Sequence, residues 1–183
     1  MSVRSRLPGA AVILLLVFGL LACETEEPKQ TRRPAGREFT TAAIRGTDIN
    51  LALGAKVTAS SYYTEYGDYM PDRATDEGPG EWATAGQKAG SWIQLTWDSP
   101  TTIGRVELED RVSADDFVTG GHLEFSDGGS AAPVPSLNND GTPLEVVFKP
   151  RNVTWVRFVI DSVSKETHCP GLREFRVFGT ETK

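Results

Sequence analysis

The chain reads as an all-β protein, an antiparallel β-sandwich. Three observations carry this. Short segments alternating apolar and polar residues recur from about residue 49 onward, the two-residue period of strands with one buried face. Turn signals separate them, in a chain of 183 residues with 18 glycines and 11 prolines. No segment shows the 3.6-residue period of an amphipathic helix.

The elements follow in order. Asn50 to Ser61 is a short extended lead into the domain, and Tyr62–Met70 (YYTEYGDYM) is a tyrosine-rich loop without period. Met70 to Trp97 opens as a Pro/Asp/Gly-rich loop holding Asp72, Asp76, Glu77 and Glu81, and ends in the alternating strand Trp92–Trp97. Ser99-Pro100 breaks that strand, because proline cannot donate to a ladder. In Ile103–Asp110 the apolar Ile103, Val106 and Leu108 are set against Arg105, Glu107 and Glu109, and Arg111–Gly120 is a polar loop. His122–Ser126 is a strand closed by the hairpin turn Asp127-Gly128-Gly129, whose glycines accept positive φ. Ala131–Val134 is a weak return strand, and Asn138–Gly141 a turn. Leu144–Phe148 is a strand, Lys149–Asn152 a turn, and Thr154–Val163 a strand. Ser164–Gly171 is a loop before the last strand, Leu172–Gly179. That makes about eight short strands, the number a sandwich needs. Trp92 and Trp155 fall in period with strand neighbours and are expected in the core; Trp82 is expected to pack, and Trp97 is left open.

The beginning of the chain is different. Arg4 and Arg6 precede the apolar run Ala10–Ala22 (AAVILLLVFGLLA), 13 residues where a spanning helix needs about 20. This is the shape of a secretory h-region, and Leu20-Leu21-Ala22-Cys23 resembles the lipobox of a bacterial lipoprotein signal. The resemblance implies a signal peptide over 1–22 and lipidation of Cys23. It also implies an outer-membrane lipoprotein facing the periplasm or the surface, since Glu24 rather than Asp follows the cysteine. Residues 23–43 are polar and charged, too poor in aliphatic side chains to offset their ordering entropy, and form a tether. The domain spans 44–183. With Cys23 lipidated, Cys169 is the only remaining thiol, so no internal disulfide forms. A net charge of −6 and the lack of a basic stripe exclude a nucleic-acid binder.

Within the domain, several short motifs occur in a fixed order: Asn50-Leu51-Ala52, Ala59-Ser60-Ser61, Arg73-Ala74-Thr75-Asp76, Glu81-Trp82-Ala83-Thr84, Gly90-Ser91-Trp92-Ile93-Gln94-Leu95, Asp110-Arg111, Phe125-Ser126-Asp127-Gly128 and Gly171-Leu172-Arg173-Glu174-Phe175. Together they resemble the coagulation factor 5/8 type C (discoidin) domains, galactose-binding-like jelly rolls, and most of all the bacterial family 32 carbohydrate-binding modules. The resemblance covers roughly residues 49–180. It implies a calcium ion held by the carboxylates of Asp76 and Glu174 and the backbone carbonyls of Arg73, Gly78 and Arg173. A hard cation taking oxygen donors suits that set. Three departures stand out: Glu77 replaces the usual glycine, the loop before Trp82 is short, and Glu81 stands where a hydroxyl is common.

The resemblance also implies a sugar site on the rim loops. Arg111 matches the family's arginine, and Asp116 lies where asparagine is common. An aromatic platform comes from Tyr62, Tyr63, Tyr66, Tyr69 or Phe117, and His168 lies in the final loop. Charge-assisted hydrogen bonds to hydroxyls and stacking on an aromatic ring are how such sites hold sugars. Read from the residues alone, Arg111 is equally a salt-bridge partner of Asp110 or Asp116, and the tyrosines are equally cover for a long loop. On the sugar reading, Arg111→Ala removes binding and spares stability. The expected function is therefore a monomeric, non-catalytic, lipid-anchored protein that binds carbohydrate. An envelope protein that binds other proteins on the same fold is the alternative. A hydrolase is disfavoured: the carboxylate pairs (Asp115-Asp116, Glu109-Asp110) have little scaffold for a cleft, and Cys169 beside His168 reads as a buried small residue.

Overall fold

The computed structural model of the chain describes residues 49–179. The expected signal peptide, Cys23, the expected tether and the first residues assigned to the domain lie outside the described residues. The strands are β1 (Lys56–Ala59), β2 (Trp82–Ala83), β3 (Trp92–Glu109), β4 (Val118–Phe125), β5 (Ala132–Val134), β6 (Leu144–Val163), β7 (Gly171–Leu172) and β8 (Glu174–Phe178), with single 3-10 turns at Leu51–Gly54, Gly67–Tyr69 and Pro71–Ala74. Every pairing is antiparallel: β1-β3-β6-β4-β5 in order, β8 on the far half of β3, and β2 with β7.

Two expected breaks are absent. β3 runs through Ser99-Pro100, and β6 runs through Lys149–Asn152. The register between them shifts from Thr96 to Thr101 and again from Ile103 to Arg105. Irregularities of this kind relieve proline of the ladder bond it cannot donate and bend the strand. Each strand then serves both layers of the sandwich. The first half of β3 pairs with β1 and the last half of β6; its second half pairs with β8 and the first half of β6.

Alternation fixes which side chains meet between the layers. Ile93 and Leu95 of β3, Leu123 of β4, Val156, Phe158 and Ile160 of β6, and Phe175 and Val177 of β8 are buried. Each contributes about 2 kcal/mol of burial. The same alternation corrects two sequence assignments. Trp92 and Trp155 are only half-buried, because they share a strand face with Gln94 and Arg157 rather than with Ile93 and Phe158. Being in period with strand neighbours places a side chain on one of two faces and does not say which. Trp97 instead is core, with its indole N–H donating to the Leu51 carbonyl at 2.9 Å. Trp82 packs as expected, fully buried, its indole donating to the Ser61 carbonyl at 2.9 Å.

Candidate functional site

β3 ends at Glu109, and the next residue braces the loop that follows. Asp110 is 1% exposed. Its Oδ1 accepts the Arg111 backbone N–H and its Oδ2 accepts that of Val118, both at 2.9 Å, so one carboxyl closes the 111–117 loop onto β4. Burial pushes its pKa up to about 7, against the two backbone donors and the Arg111 guanidinium.

Arg111 is buried rather than presented to solvent. Its Nε donates to Glu81 Oε1 at 2.8 Å, its Nη1 donates to the Cys169 carbonyl, and Asp116 Oδ2 lies 3.6 Å from Nη1. Asp116 Oδ1 in turn accepts the backbone N–H of His168 at 2.5 Å and of Cys169 at 3.1 Å. One guanidinium and one carboxylate thus knit together three stretches of chain: the acidic loop, the loop after β3 and the loop before β7. The alternatives for Arg111 resolve in part: Asp116 and Glu81 hold its side chain, and Asp110 takes its backbone amide. The expectation that Arg111→Ala spares stability is corrected for the same reason.

The tyrosine loop leans over this network. Tyr63, Tyr66 and Tyr69 form a triangle with ring centroids 5.9, 6.2 and 6.4 Å apart, and the Arg111 guanidinium lies 5.6 Å from the Tyr69 ring. Tyr66 is 55% exposed. The Tyr63 hydroxyl lies 3.2 Å from the buried Cys169 Sγ. The 3-10 turn Gly67–Tyr69 is tied to the acidic loop by the Glu81 N–H donating to the Asp68 carbonyl at 3.0 Å.

The rim therefore gathers Tyr66, Tyr69, Arg111 and Asp116 of the expected binding residues. His168 enters through its backbone, its side chain exposed. Phe117 also enters through its backbone, which pairs with Thr167 Oγ1 and Ser164 N, while its ring is half-buried. Tyr62 packs against the core and leaves the aromatic group. Glu81 and the Cys169 carbonyl were not anticipated. Four carboxylates in one loop look alike in sequence, and a carbonyl has no sequence signal.

The other end of the acidic loop turns toward β8. Asp76 Oδ1 accepts the Gly78 N–H at 2.7 Å, and its Oδ2 pairs with Arg73 Nη1 at 3.1 Å. A Cβ at Gly78 would meet the Asp76 carboxylate, the end of a side chain that would have to swing aside. Glu77 keeps the left-handed conformation, φ 56°, that favours glycine, and its carboxylate accepts from Asn50 Nδ2 at 3.1 Å. Glu174 is 2% exposed, and among the described residues its Oε2 has no hydrogen-bond partner; Arg176 Nη2 stands 4.0 Å away. Burial raises the Glu174 pKa to about 7; Arg176 opposes this, while Asp76, Glu109 and Glu77 add to it. Among the described residues no three His, Cys, Asp or Glu side chains gather as a metal cluster. An orphaned buried carboxylate oxygen beside an acidic loop nevertheless fits an oxygen-seeking cation whose remaining ligands are carbonyls.

Solved structures resemble this fold. Chitosan-binding module 1, derived from a chitosanase/glucanase of Paenibacillus sp. IK-5, is 25% identical, with a TM-score of 0.58 over 72% of this chain and 99% of that one. Chitosan-binding module 2 from the same enzyme, in complex with chitotriose, is 26% identical, with a TM-score of 0.57 over 71% and 100%. CpGH89CBM32-5 from Clostridium perfringens, in complex with GalNAc-beta-1,3-galactose, is 20% identical, with a TM-score of 0.61 over 72% and 100%, a likeness of fold. No curated protein matches the chain. The family model described as Domain of unknown function (DUF7402) matches residues 50–178.

Proposed function

We propose that this chain, which belongs to the DUF7402 family, is a lipid-anchored envelope protein whose β-sandwich binds carbohydrate at the Tyr66–Tyr69–Arg111 rim without catalysing a reaction. The observation that carries the reading is the convergence of three tyrosine rings, Arg111, Glu81 and Asp116 at one end of the sandwich. Aromatic faces and charged hydrogen-bonding groups side by side are what a sugar ring requires. Chitosan-binding modules at 25% and 26% identity support the ligand class. Glu81 and Asp116 outnumber Arg111 in charge, which suits a sugar bearing an amino group. Anchoring through Cys23 and an outer-membrane location are part of the proposal and rest on the lipobox alone.

A glycan array that includes chito-oligosaccharides tests it, followed by calorimetry. Tyr69→Ala should weaken binding about tenfold, since stacking on one ring is worth about 1 kcal/mol or more, with a melting temperature near that of wild type. An array without hits sinks the sugar reading. A second reading, a protein-binding rim on the same fold, is favoured by one observation: Arg111 is buried and engaged by Glu81, Cys169 and Asp116.

We further propose that calcium is held by Asp76, Glu174 and the carbonyls of Arg73, Gly78 and Arg173. The ion would supply the missing partner of Glu174 and join the acidic loop to β8. Its test is a pH-dependent stabilisation. Without metal, Glu174 holds its proton in the folded state up to about pH 7, whereas unfolded it ionises at the ordinary glutamate value of 4.5. Stability without metal therefore falls as pH rises across that window, by up to about 1.4 kcal/mol per unit for one proton; Asp110 acts in the same direction. Calcium needs the ionised carboxylate, so it competes with that proton. Millimolar calcium should raise the melting temperature clearly at pH 8 and little at pH 5, and Glu174→Gln should erase the difference. An equal calcium response in the variant would refute this assignment.

A further inference from the structure

Residues 111–117 enter no ladder and no helix, so the shape of this loop rests on what side chains do for its backbone. Hydroxyls and an amide do part of this. Ser113 Oγ accepts the Asp116 N–H at 3.0 Å, Thr167 Oγ1 accepts the Phe117 N–H at 3.3 Å, and Asn139 Nδ2 donates to the Ser113 carbonyl at 2.6 Å. The two ends of the loop are held otherwise. The N–H of Arg111 and the N–H of Val118 go to the two oxygens of one carboxyl, that of Asp110, at 2.9 Å each.

This arrangement requires a particular charge state. A carboxylate accepts at both oxygens, whereas a carboxylic acid turns one of them into an O–H donor. A donor cannot serve a backbone N–H, and at 1% exposure the Asp110 side chain has no room to turn to solvent. A buried N–H stripped of its acceptor is costly, so the loop must move to find another. The loop as folded is therefore the loop of ionised Asp110.

The surroundings make that form easy to lose near neutral pH. Burial opposes the charge most, the two backbone donors and the Arg111 guanidinium favour it, Glu81 from the acidic loop opposes it, and the pKa stands at about 7. Asp116 shares Arg111 with Asp110, and carries the backbone N–H groups of His168 and Cys169 from the loop before β7. Glu109, the preceding residue, is paired with Arg173 and Arg176. From β4 the contact is the Val118 N–H.

We propose that Asp110 is a positioning residue that works as a proton-sensitive latch: ionised, it holds both ends of the 111–117 loop and so assembles Arg111 and Asp116 at the rim; protonated, it lets the loop go. Release draws Arg111 away from Glu81 and from the Tyr69 ring, so the rim is assembled above neutral pH and dismantled below it. The latch is read without a ligand; that it regulates binding rests on the reading of the rim as the binding site.

The test is hydrogen–deuterium exchange of the full-length chain in mild detergent at pH 5 and pH 8, with labelling times scaled for the intrinsic pH dependence of exchange. In wild type, peptides spanning 110–118 should exchange at least tenfold faster at pH 5, while peptides from the last half of β6 should not change. Asp110→Asn, whose amide sets a donor before one of the two N–H groups, should give the fast loop at both pH values. Should that variant fail to fold, nuclear magnetic resonance of wild type decides: the Arg111 and Val118 amides should shift with one shared midpoint near pH 7. Equal scaled exchange at the two pH values, or no shared midpoint, overturns the proposal. So does a pH response kept in Asp110→Asn, which would assign the latch to another group. At pH 8 chitotriose should bind Asp110→Asn at least tenfold more weakly than wild type, and equal binding overturns the positioning role. A wild type that opens its loop in acid yet binds no chitotriose supports the latch and counts against the sugar reading instead.

Discussion

Arg111→Ala will lower the melting temperature by about 10 °C and remove measurable glycan binding in the same variant. Removing the guanidinium leaves Glu81 and Asp116 without their shared cation, and takes the donor from the Cys169 carbonyl. Stranding one side of a buried pair costs about 3 kcal/mol, which for a domain of this size is a shift of about 10 °C. Arg111→Lys separates the two roles. It keeps the charge near Glu81 but cannot span Glu81 and the Cys169 carbonyl as a planar fork does. Part of the stability should return while binding stays lost. Thermal melts paired with calorimetry read both effects, and an Arg111→Ala protein as stable as wild type would sink the argument from burial.

Gly171→Ala will have the larger effect on folding. A Cβ at Gly171 would land on the Trp82 carbonyl oxygen, within the two-residue pairing of β2 with β7. The neighbour is backbone, and Trp82 is itself fully buried, so nothing nearby can yield. A loss above about 4 kcal/mol is expected, read as insoluble expression or a melt at least 10 °C lower. Gly54→Ala, where a Cβ meets nothing, is the control and should melt with wild type. The same pairing sets Glu81 and Cys169 on either side of Arg111, so residual soluble Gly171→Ala should also bind poorly.

Much of the fold was legible because strand alternation and glycine turns are local signals. Asp127-Gly128-Gly129 ends its strand where expected, and Gly128 has the positive φ that the turn requires, 69°. The errors arose where local signals have two readings. Pro100 ends a strand in isolation, but an irregular register lets β3 continue past it. Trp92 and Trp155 satisfy the period of their strands, yet only the third dimension says that Ile93 and Phe158 own the core face. At the rim, Arg111 and Asp116 were legible as chemistry-bearing residues in a loop, and the tyrosines as aromatics without period. Which carboxylate would meet Arg111 was not, because Glu81 lies 30 residues away in sequence. The divided character of the acidic loop, with Asp76 toward β8 and Glu81 toward the rim, could not be read from composition either.

The bends in β3 and β6 have one more consequence. A sandwich of two separate sheets has a seam, along which one sheet can loosen while the other holds. Here the strands themselves cross from layer to layer, so the seam is bridged by covalent chain at two places. Loosening the β8 side pulls on the strand that carries Ile93 and Leu95, and loosening the β1 side pulls on the strand that carries Val106 and Leu108. Loosening at either end of β3 is therefore expected to spread along the strand rather than stop at a layer boundary.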